Sequence, residues 1–285
     1  MDRRQFLAAL SAPAAALAQG KRLPITDVEI WQLEGSEEGE TGVNRQHQVQ
    51  PAHVYAELRP PVYHEPPEGK RGTIKRTARY LVIKTAQGVE GLYGPVDAEA
   101  CVVVDRQLKQ LVIGQDALAV ETRWDQLFRS NRHSRASHYM MGISALDNAL
   151  WDLRGRYYGA PVYQLLGGPT REKATVYGST LGSSVELDLA GKRAKELKSQ
   201  GFRHQKWFLA YGPGDGAEGL EKNIELVRVL REAVGPTVDL MFDAFMGWDL
   251  NYAMAWCAAV EQYRPRWLEE AFHVDKIDSF VQLAR

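Results

Sequence analysis

Cysteine is nearly missing: Cys101 and Cys257 are the only two in 285 residues. A small scaffold stapled by disulfides is excluded, and the apolar surroundings of each cysteine suit a buried free thiol. A surplus of one charge is missing too. The formal net charge is −1, from 35 basic and 36 acidic side chains, and no stretch is strongly basic. Nothing electrostatic therefore supports a nucleic-acid partner. Long apolar runs are also lacking, so no segment reads as a membrane span across a hydrocarbon core of roughly 30 Å. What remains is an ordinary globular composition, 45% hydrophobic and 25% charged, with room for one large domain or two medium ones.

The first eighteen residues read as an export signal. Arg3 and Arg4 precede Phe6-Leu7, and an Ala/Leu-rich stretch then leads to Ala16-Leu17-Ala18, an A-x-A cleavage pattern before Gln19. The R-R-Q-F-L run resembles a twin-arginine signal, although Asp2 stands where Ser or Thr is commoner. An ordinary Sec signal is the alternative. Either route places the mature protein outside the cytoplasm, in the periplasm.

Residues 25–33 alternate apolar and polar side chains, as a half-buried strand does. Residues 34–76 lack periodicity and read as a long irregular segment. A hairpin follows, with a first strand over 78–85 and a turn at Gln87-Gly88. Helical patterns cover 98–111, 119–128 and 138–159, the last placing Ile143, Leu146, Ala149, Leu150 and Leu153 on one side. From Thr175 the texture becomes strand, helix, strand, helix, with Gly201, Gly235-Pro236 and Pro265 at the turns. Such alternation is the mark of parallel β/α structure. Four units can be counted. The expected fold class is thus α/β: an α+β domain over 24–165, then an incomplete parallel β/α barrel over 166–285.

Three residues stand at the ends of these strand-like segments. Lys206 closes G-F-R-H-Q-K, Asp243 closes V-D-L-M-F-D, and Glu269 falls in P-R-W-L-E-E. The C-terminal rim of a β/α barrel is where such folds place their chemistry. Two carboxylates and an ammonium converging there suit a hard cation and an anionic substrate. Taken singly, each carboxylate is explained as well by a helix cap or a surface position. It is their joint placement on successive units that points to a site.

The run G-I-S-A-L-D-N-A-L-W-D-L-R-G-R-Y-Y-G-A-P-V-Y-Q-L-L-G-G over 142–168 resembles the signature of the mandelate racemase/muconate lactonizing branch of the enolase superfamily. Gly142 departs from the usual Ala. Within that branch, Y-G-P-G-D-G-A-E-G-L-E-K-N (211–223) and M-G-W-D-L-N-Y-A (246–253) are similar to acid-sugar dehydratases of the rhamnonate dehydratase type. The resemblance covers nearly all of residues 25–285. It implies an α+β capping domain, a (β/α)7β barrel and Mg²⁺-assisted removal of a proton α to the carboxylate of a sugar-acid substrate. Asp243 and Glu269 would be metal ligands, Glu270 would lie just behind them, and Lys206 would match the first lysine of a K-x-K element. Phe208 stands at the second lysine position, which favours dehydration over two-base racemisation. Racemase or cycloisomerase chemistry is the alternative.

Among the histidines, His53 and His64 lie in the irregular segment expected to cap the barrel mouth, and strand alternation points His204 the same way as Lys206. These are candidate substrate neighbours. The family's third carboxylate and its His–Asp base follow later strands, so the chain is expected to be a C-terminally truncated member. It would be active once extended, or complemented by another chain or a homo-oligomeric partner, or else it would be a non-catalytic binding protein.

Overall fold

The computed structural model describes residues 22–41, 46–60, 70–132 and 135–285. The export signal and His64 lie outside the described residues. Among the described residues two compact units emerge, within the bounds Met1–Glu38 with Thr73–Glu172 and Gly39–Gly72 with Lys173–Arg285. The boundary falls at Glu172/Lys173 rather than at 165/166, and part of the irregular segment belongs to the second unit instead of staying with 24–165. Backbone bonding explains that assignment: Val49 N–H donates to Leu209 O at 2.8 Å, and Val49 is 1% exposed inside the second unit's core.

The first unit holds a sheet ordered β1 (Ile25–Thr41), β2 (Lys70–Thr85) and β3 (Glu90–Tyr93). Strands β2 and β3 form the expected antiparallel hairpin, and Gly88 takes the left-handed turn position with φ +78°. β1 and β2 run further than the periodicity suggests, through Thr41 and from Lys70. Their distal ends are held by polar cross-strand contacts that no hydropathy pattern registers. Arg76 donates twice to Glu37 Oε1, at 2.9 and 2.6 Å, and Thr73 Oγ1 donates to Glu38 Oε1 at 2.7 Å.

Helical segments α1 (Ala98–Val103), a π-helical turn over Val104–Leu108, and α2 (Lys109–Val112) follow, then α3 (Val120–Ser130) and α4 (Ser137–Tyr158). The five apolar residues expected on one side of α4 are all buried at 1% exposure or less. Gly159 ends α4 with φ +65°, the left-handed cap that glycine favours. Gly91 on β3 lies so close to α4 that a Cβ there would sit 2.1 Å from Ala149 O. A short helix, α5 (Val162–Leu165), completes this unit.

The second unit is a parallel sheet ordered β4 (Gly178–Ser179), β5 (His204–Phe208), β6 (Asp239–Asp243) and β7 (Trp267–Glu269). Helices α6 (Leu187–Ser199), α7 (Gly216–Val234) and α8 (Leu250–Val260) connect the strands, and α9 (Ile277–Leu283) follows β7. The expected order of four β/α units is the observed one. β4 is just two residues long, at the sheet edge. Alternation sorts the strand residues into two faces. Trp207, Leu240 and Phe242 pack into the helix-side core at 1% exposure or less. The opposite face carries His204, Lys206 and Phe208 on β5, Asp239, Met241 and Asp243 on β6, and Trp267 and Glu269 on β7. At the start of α8, Asp249 accepts a hydrogen bond from Tyr252 N at 2.9 Å, a side-chain cap. Both cysteines are free, Cys101 buried and Cys257 half-buried. No helix of the described residues is long and apolar enough to cross a membrane.

Candidate metal centre

Register brings the acidic pair together. Phe208, Asp243 and Glu269 are Cα partners at the C-terminal ends of β5, β6 and β7. Lys206 sits two residues earlier on β5, so its four-carbon stem carries the ammonium forward to the level of the carboxylates. There Nζ donates to Asp243 Oδ2 at 3.0 Å and to Glu269 Oε1 at 2.9 Å. Lys206 is 8% exposed and Asp243 3%, whereas the Glu269 side chain keeps 36%. Burial works against the Lys206 ammonium, but the two hydrogen bonds and the two negative charges outweigh it and hold its pKa above the ordinary lysine value.

The other carboxylate oxygens are also oriented. Asp243 Oδ1 accepts from Phe245 N at 3.0 Å, and Glu269 Oε2 accepts from Trp267 Nε1 at 3.1 Å. Aromatic faces flank the ammonium, with Phe208's ring centroid at 5.0 Å and Tyr177's at 5.8 Å. Thr180 Oγ1 donates to Lys206 O at 3.0 Å, tying the loop after β4 to the strand that carries the lysine.

Backbone strain gathers beside the carboxylates. Phe245, Met246 and Glu270 have φ of +48°, +60° and +47°, costing on the order of 1–3 kcal/mol each for side chains other than glycine. Met246 N donates to Glu270 O, joining the two strained turns directly after the carboxylate positions. The side chain of Glu270 itself is exposed.

His204 is engaged elsewhere. Its Nδ1 bonds Asp239 Oδ2 at 2.8 Å, and Arg266 also pairs with that carboxylate, at the N-terminal end of the strands. His53 belongs to a strap, residues 46–60, laid over the C-terminal rim of the second unit. Its Nδ1 accepts from Gln50 N at 3.2 Å, and burial pushes its pKa down against the opposing charge of Asp215. The strap is seated where glycines allow close approach: a Cβ on Gly212 or Gly247 would lie 2.7 Å from Val49 Cγ2. Arg59 fastens its end, donating to His53 O at 2.7 Å and lying 3.8 Å from Asp215 Oδ1.

Lys206, Asp243 and Glu269 are thus gathered, and His53, His204 and Glu270 stand apart from that contact set. Tyr177, Trp267 and Thr180 join it without any sequence signal beyond the proximity of Trp267 to Glu269. A cavity of about 620 Å³ beside Tyr211, Lys222 and Asn223 includes none of the three central residues. Two carboxylates against one ammonium leave the cluster with a formal charge of −1 and an all-oxygen donor set. Such a set fits a hard divalent ion that keeps several of its waters. Among the described residues no group of three or more His, Cys, Asp or Glu is gathered for a metal.

The chain is similar to known proteins. The mandelate racemase/muconate lactonizing enzyme N-terminal domain matches residues 54–167, and the enolase C-terminal domain-like family matches 190–285. An L-rhamnonate dehydratase of Saccharopolyspora erythraea is 40% identical over 184 residues, 64% of this chain and 44% of the relative. The chain spans less than half the length of the curated relatives it matches. The crystal structure of L-rhamnonate dehydratase from Gibberella zeae superposes with a TM-score of 0.73 at 26% identity, over 93% of this chain and 62% of that one. D-glucarate dehydratase from Agrobacterium tumefaciens, complexed with magnesium, gives 0.70 at 27% identity, over 93% and 65%. The chain belongs to the mandelate racemase/muconate lactonizing enzyme family of the enolase superfamily.

Proposed function

We propose that this chain carries the first part of the active site of an Mg²⁺-dependent hydro-lyase acting on sugar acids, of the L-rhamnonate dehydratase kind. The observation that carries the reading is the shared ammonium: Asp243 and Glu269, on successive strands, both reach Lys206 Nζ within 3.0 Å. The names of the relatives support the substrate class, and the magnesium complex of the D-glucarate enzyme supports the ion.

Asp243 and Glu269 would hold Mg²⁺, which supplies a fixed positive charge where negative charge develops on the substrate. Removing the proton α to a carboxylate makes an enediolate, and expulsion of the β-hydroxyl as water then leaves an enol that becomes the 2-keto-3-deoxy acid. Lys206 donates hydrogen bonds in this region and would bind the substrate carboxylate or the enediolate oxygen, the interaction that strengthens as charge builds. Phe208 contributes no proton-transfer group on its face, which argues against two-base racemisation. The proton acceptor is not in this cluster: His204 is tied to Asp239 and His53 to Gln50. The family resemblance assigns the base, with a third carboxylate, to later strands. Completion of the site by the remaining length found in the relatives, by a second copy or by another chain is part of the proposal, as is export through the twin-arginine-like signal.

The test uses the chain joined to the remaining length of a rhamnonate dehydratase relative, with MgCl2 and a panel of aldonic acids including L-rhamnonate. A keto-deoxy product is expected from at least one acid, and it should vanish in Asp243→Asn and Glu269→Gln. Absence of product from every acid, with magnesium bound, would remove dehydration and favour racemase or lactone chemistry.

A further inference from the structure

We infer that Lys206 is a built-in counter-cation that competes with the divalent ion for Asp243 and Glu269 and so weakens their hold on it. This rests on the reading of Asp243 and Glu269 as metal ligands. The geometry that leads to it is the double hydrogen bond itself. Nζ occupies one oxygen of each carboxylate, while the second oxygens are engaged by Phe245 N and Trp267 Nε1. Each of these oxygens keeps a second lone pair, so an ion can reach both carboxylates, but it does so against an ammonium 3.0 and 2.9 Å from them. The oxygens most free to be exchanged are those facing the ammonium, because a lysine stem can rotate whereas the backbone N–H of Phe245 cannot.

The surroundings offer a displaced ammonium somewhere to go. Lys206 is 8% exposed, so leaving the carboxylates for bulk water is not a short excursion. The rings of Phe208 and Tyr177, with centroids 5.0 and 5.8 Å from Nζ, present faces that attract a cation. Phe208 at a position the family commonly gives to lysine then has a physical use. A second ammonium there would repel both the first one and the incoming ion, whereas a ring accommodates the first. Two charge-assisted ion pairs are weakened or exchanged when the ion enters, so the lysine sets how tightly the ion is held.

The test measures Mg²⁺ binding to the full chain by isothermal titration calorimetry with MgCl2 alone. Lys206→Gln, which removes the competing charge and keeps a polar side chain, should bind Mg²⁺ at least about tenfold more tightly than the unsubstituted chain. Lys206→Arg keeps a cation on both carboxylates through a planar fork and should bind severalfold more weakly. If Lys206→Gln leaves two buried carboxylates unpaired and does not fold, the arginine variant decides. Magnesium affinity unchanged or lowered in a folded Lys206→Gln, or unchanged or raised in Lys206→Arg, would overturn the counter-cation role while leaving the metal site in place. Absence of magnesium binding in all three proteins would sink both that role and the metal reading.

Discussion

Substituting Asp243 by Asn tests the ion cluster as a structural unit, independently of any metal. The amide can still accept from Phe245 N through Oδ1, so the turn contact at 3.0 Å is retained. What changes is the atom facing Lys206, where an NH2 group replaces a negative oxygen and meets three N–H donors. Removing one partner of a buried pair costs about 3–5 kcal/mol when the other charge is left alone. Here Lys206 keeps Glu269 at 2.9 Å, and that side chain is 36% exposed, so the loss should fall at the lower end, about 3 kcal/mol. Glu269→Gln removes the wetter partner and should cost about 1 kcal/mol. Urea unfolding followed by tryptophan fluorescence is the appropriate assay, because Trp207, Trp248 and Trp256 are buried in the second unit and report on it directly. Lys206→Met combined with Asp243→Leu should recover part of the loss, since the buried pair is replaced by apolar groups and the one carboxylate left without its cation, Glu269, is 36% exposed. Equal costs for the two single substitutions, or a double variant as weak as the sum of its parts, would refute the claim that burial of Asp243 against Lys206 sets the energetics.

Three further outcomes are expected. Asp239 is pushed up by burial, but its bonds to Arg266 and His204 win and hold its pKa below the ordinary 3.8. A depressed carboxylate stabilises the fold above its unfolded pKa and loses that contribution as pH falls through the folded one, so the effect lies below about pH 3.8. Asp239→Asn should accordingly flatten the acid limb of a stability–pH curve and leave the neutral region parallel, which thermal melts across pH would reveal. Gly247→Ala places a Cβ 2.7 Å from Val49 Cγ2 and 3.0 Å from Gln50 N, so the strap over 46–60 should lift at about 1–3 kcal/mol. Hydrogen exchange at the Val49 amide should accelerate, and unchanged protection would show that the strap is not seated by that contact. Expression of the whole sequence in a host with twin-arginine export should yield a periplasmic protein beginning at Gln19; a retained N terminus by mass spectrometry would exclude processing after Ala18.

How much of this was legible in the sequence depends on the kind of interaction involved. The β/α order and the two carboxylates were readable because strand ends in this architecture follow apolar runs, and Asp243 and Glu269 each close one; Lys206 instead lies two residues before the end of β5 and reaches them by its long stem. The helix boundaries followed from apolar spacing and glycine caps, as on α4 with Gly159. The far ends of β1 and β2 were invisible since Glu37, Glu38, Thr73 and Arg76 pair across strands by charge and hydrogen bonds on an exposed surface. Alternation put His204 and Lys206 on one face correctly, yet it said nothing of distance along the strand. Two residues amount to about 6.7 Å, enough to give His204 a different carboxylate. The strap illustrates the harder case. Nothing periodic marks 46–60, because its fastening consists of one valine between two glycines, the backbone bonds of Gln46 N to Gly182 O and Val49 N to Leu209 O, and one arginine. The glycines, both carbonyls and Asp215 are all more than 130 residues further along the chain.

The same distinction bears on the site. A carboxylate pair can be inferred from two strand ends, whereas the hydrogen bond of Trp267 to Glu269, the ring of Tyr177 and the left-handed backbone at Phe245, Met246 and Glu270 arise only when the strands stand side by side. These features limit how the two carboxylates can turn. With one oxygen of each held by a backbone or indole N–H and the other by Lys206, the pair has little rotational freedom left, and an incoming ion meets oxygens already aimed inward. The strain at three non-glycine residues is what the surrounding contacts must hold in place to keep that aim. Loosening it, for example with glycine at Phe245 and Met246, should raise the stability of the turn by relieving the left-handed backbone while weakening magnesium binding. An increase in both would mean that the turns are strained for reasons unrelated to the carboxylates they follow.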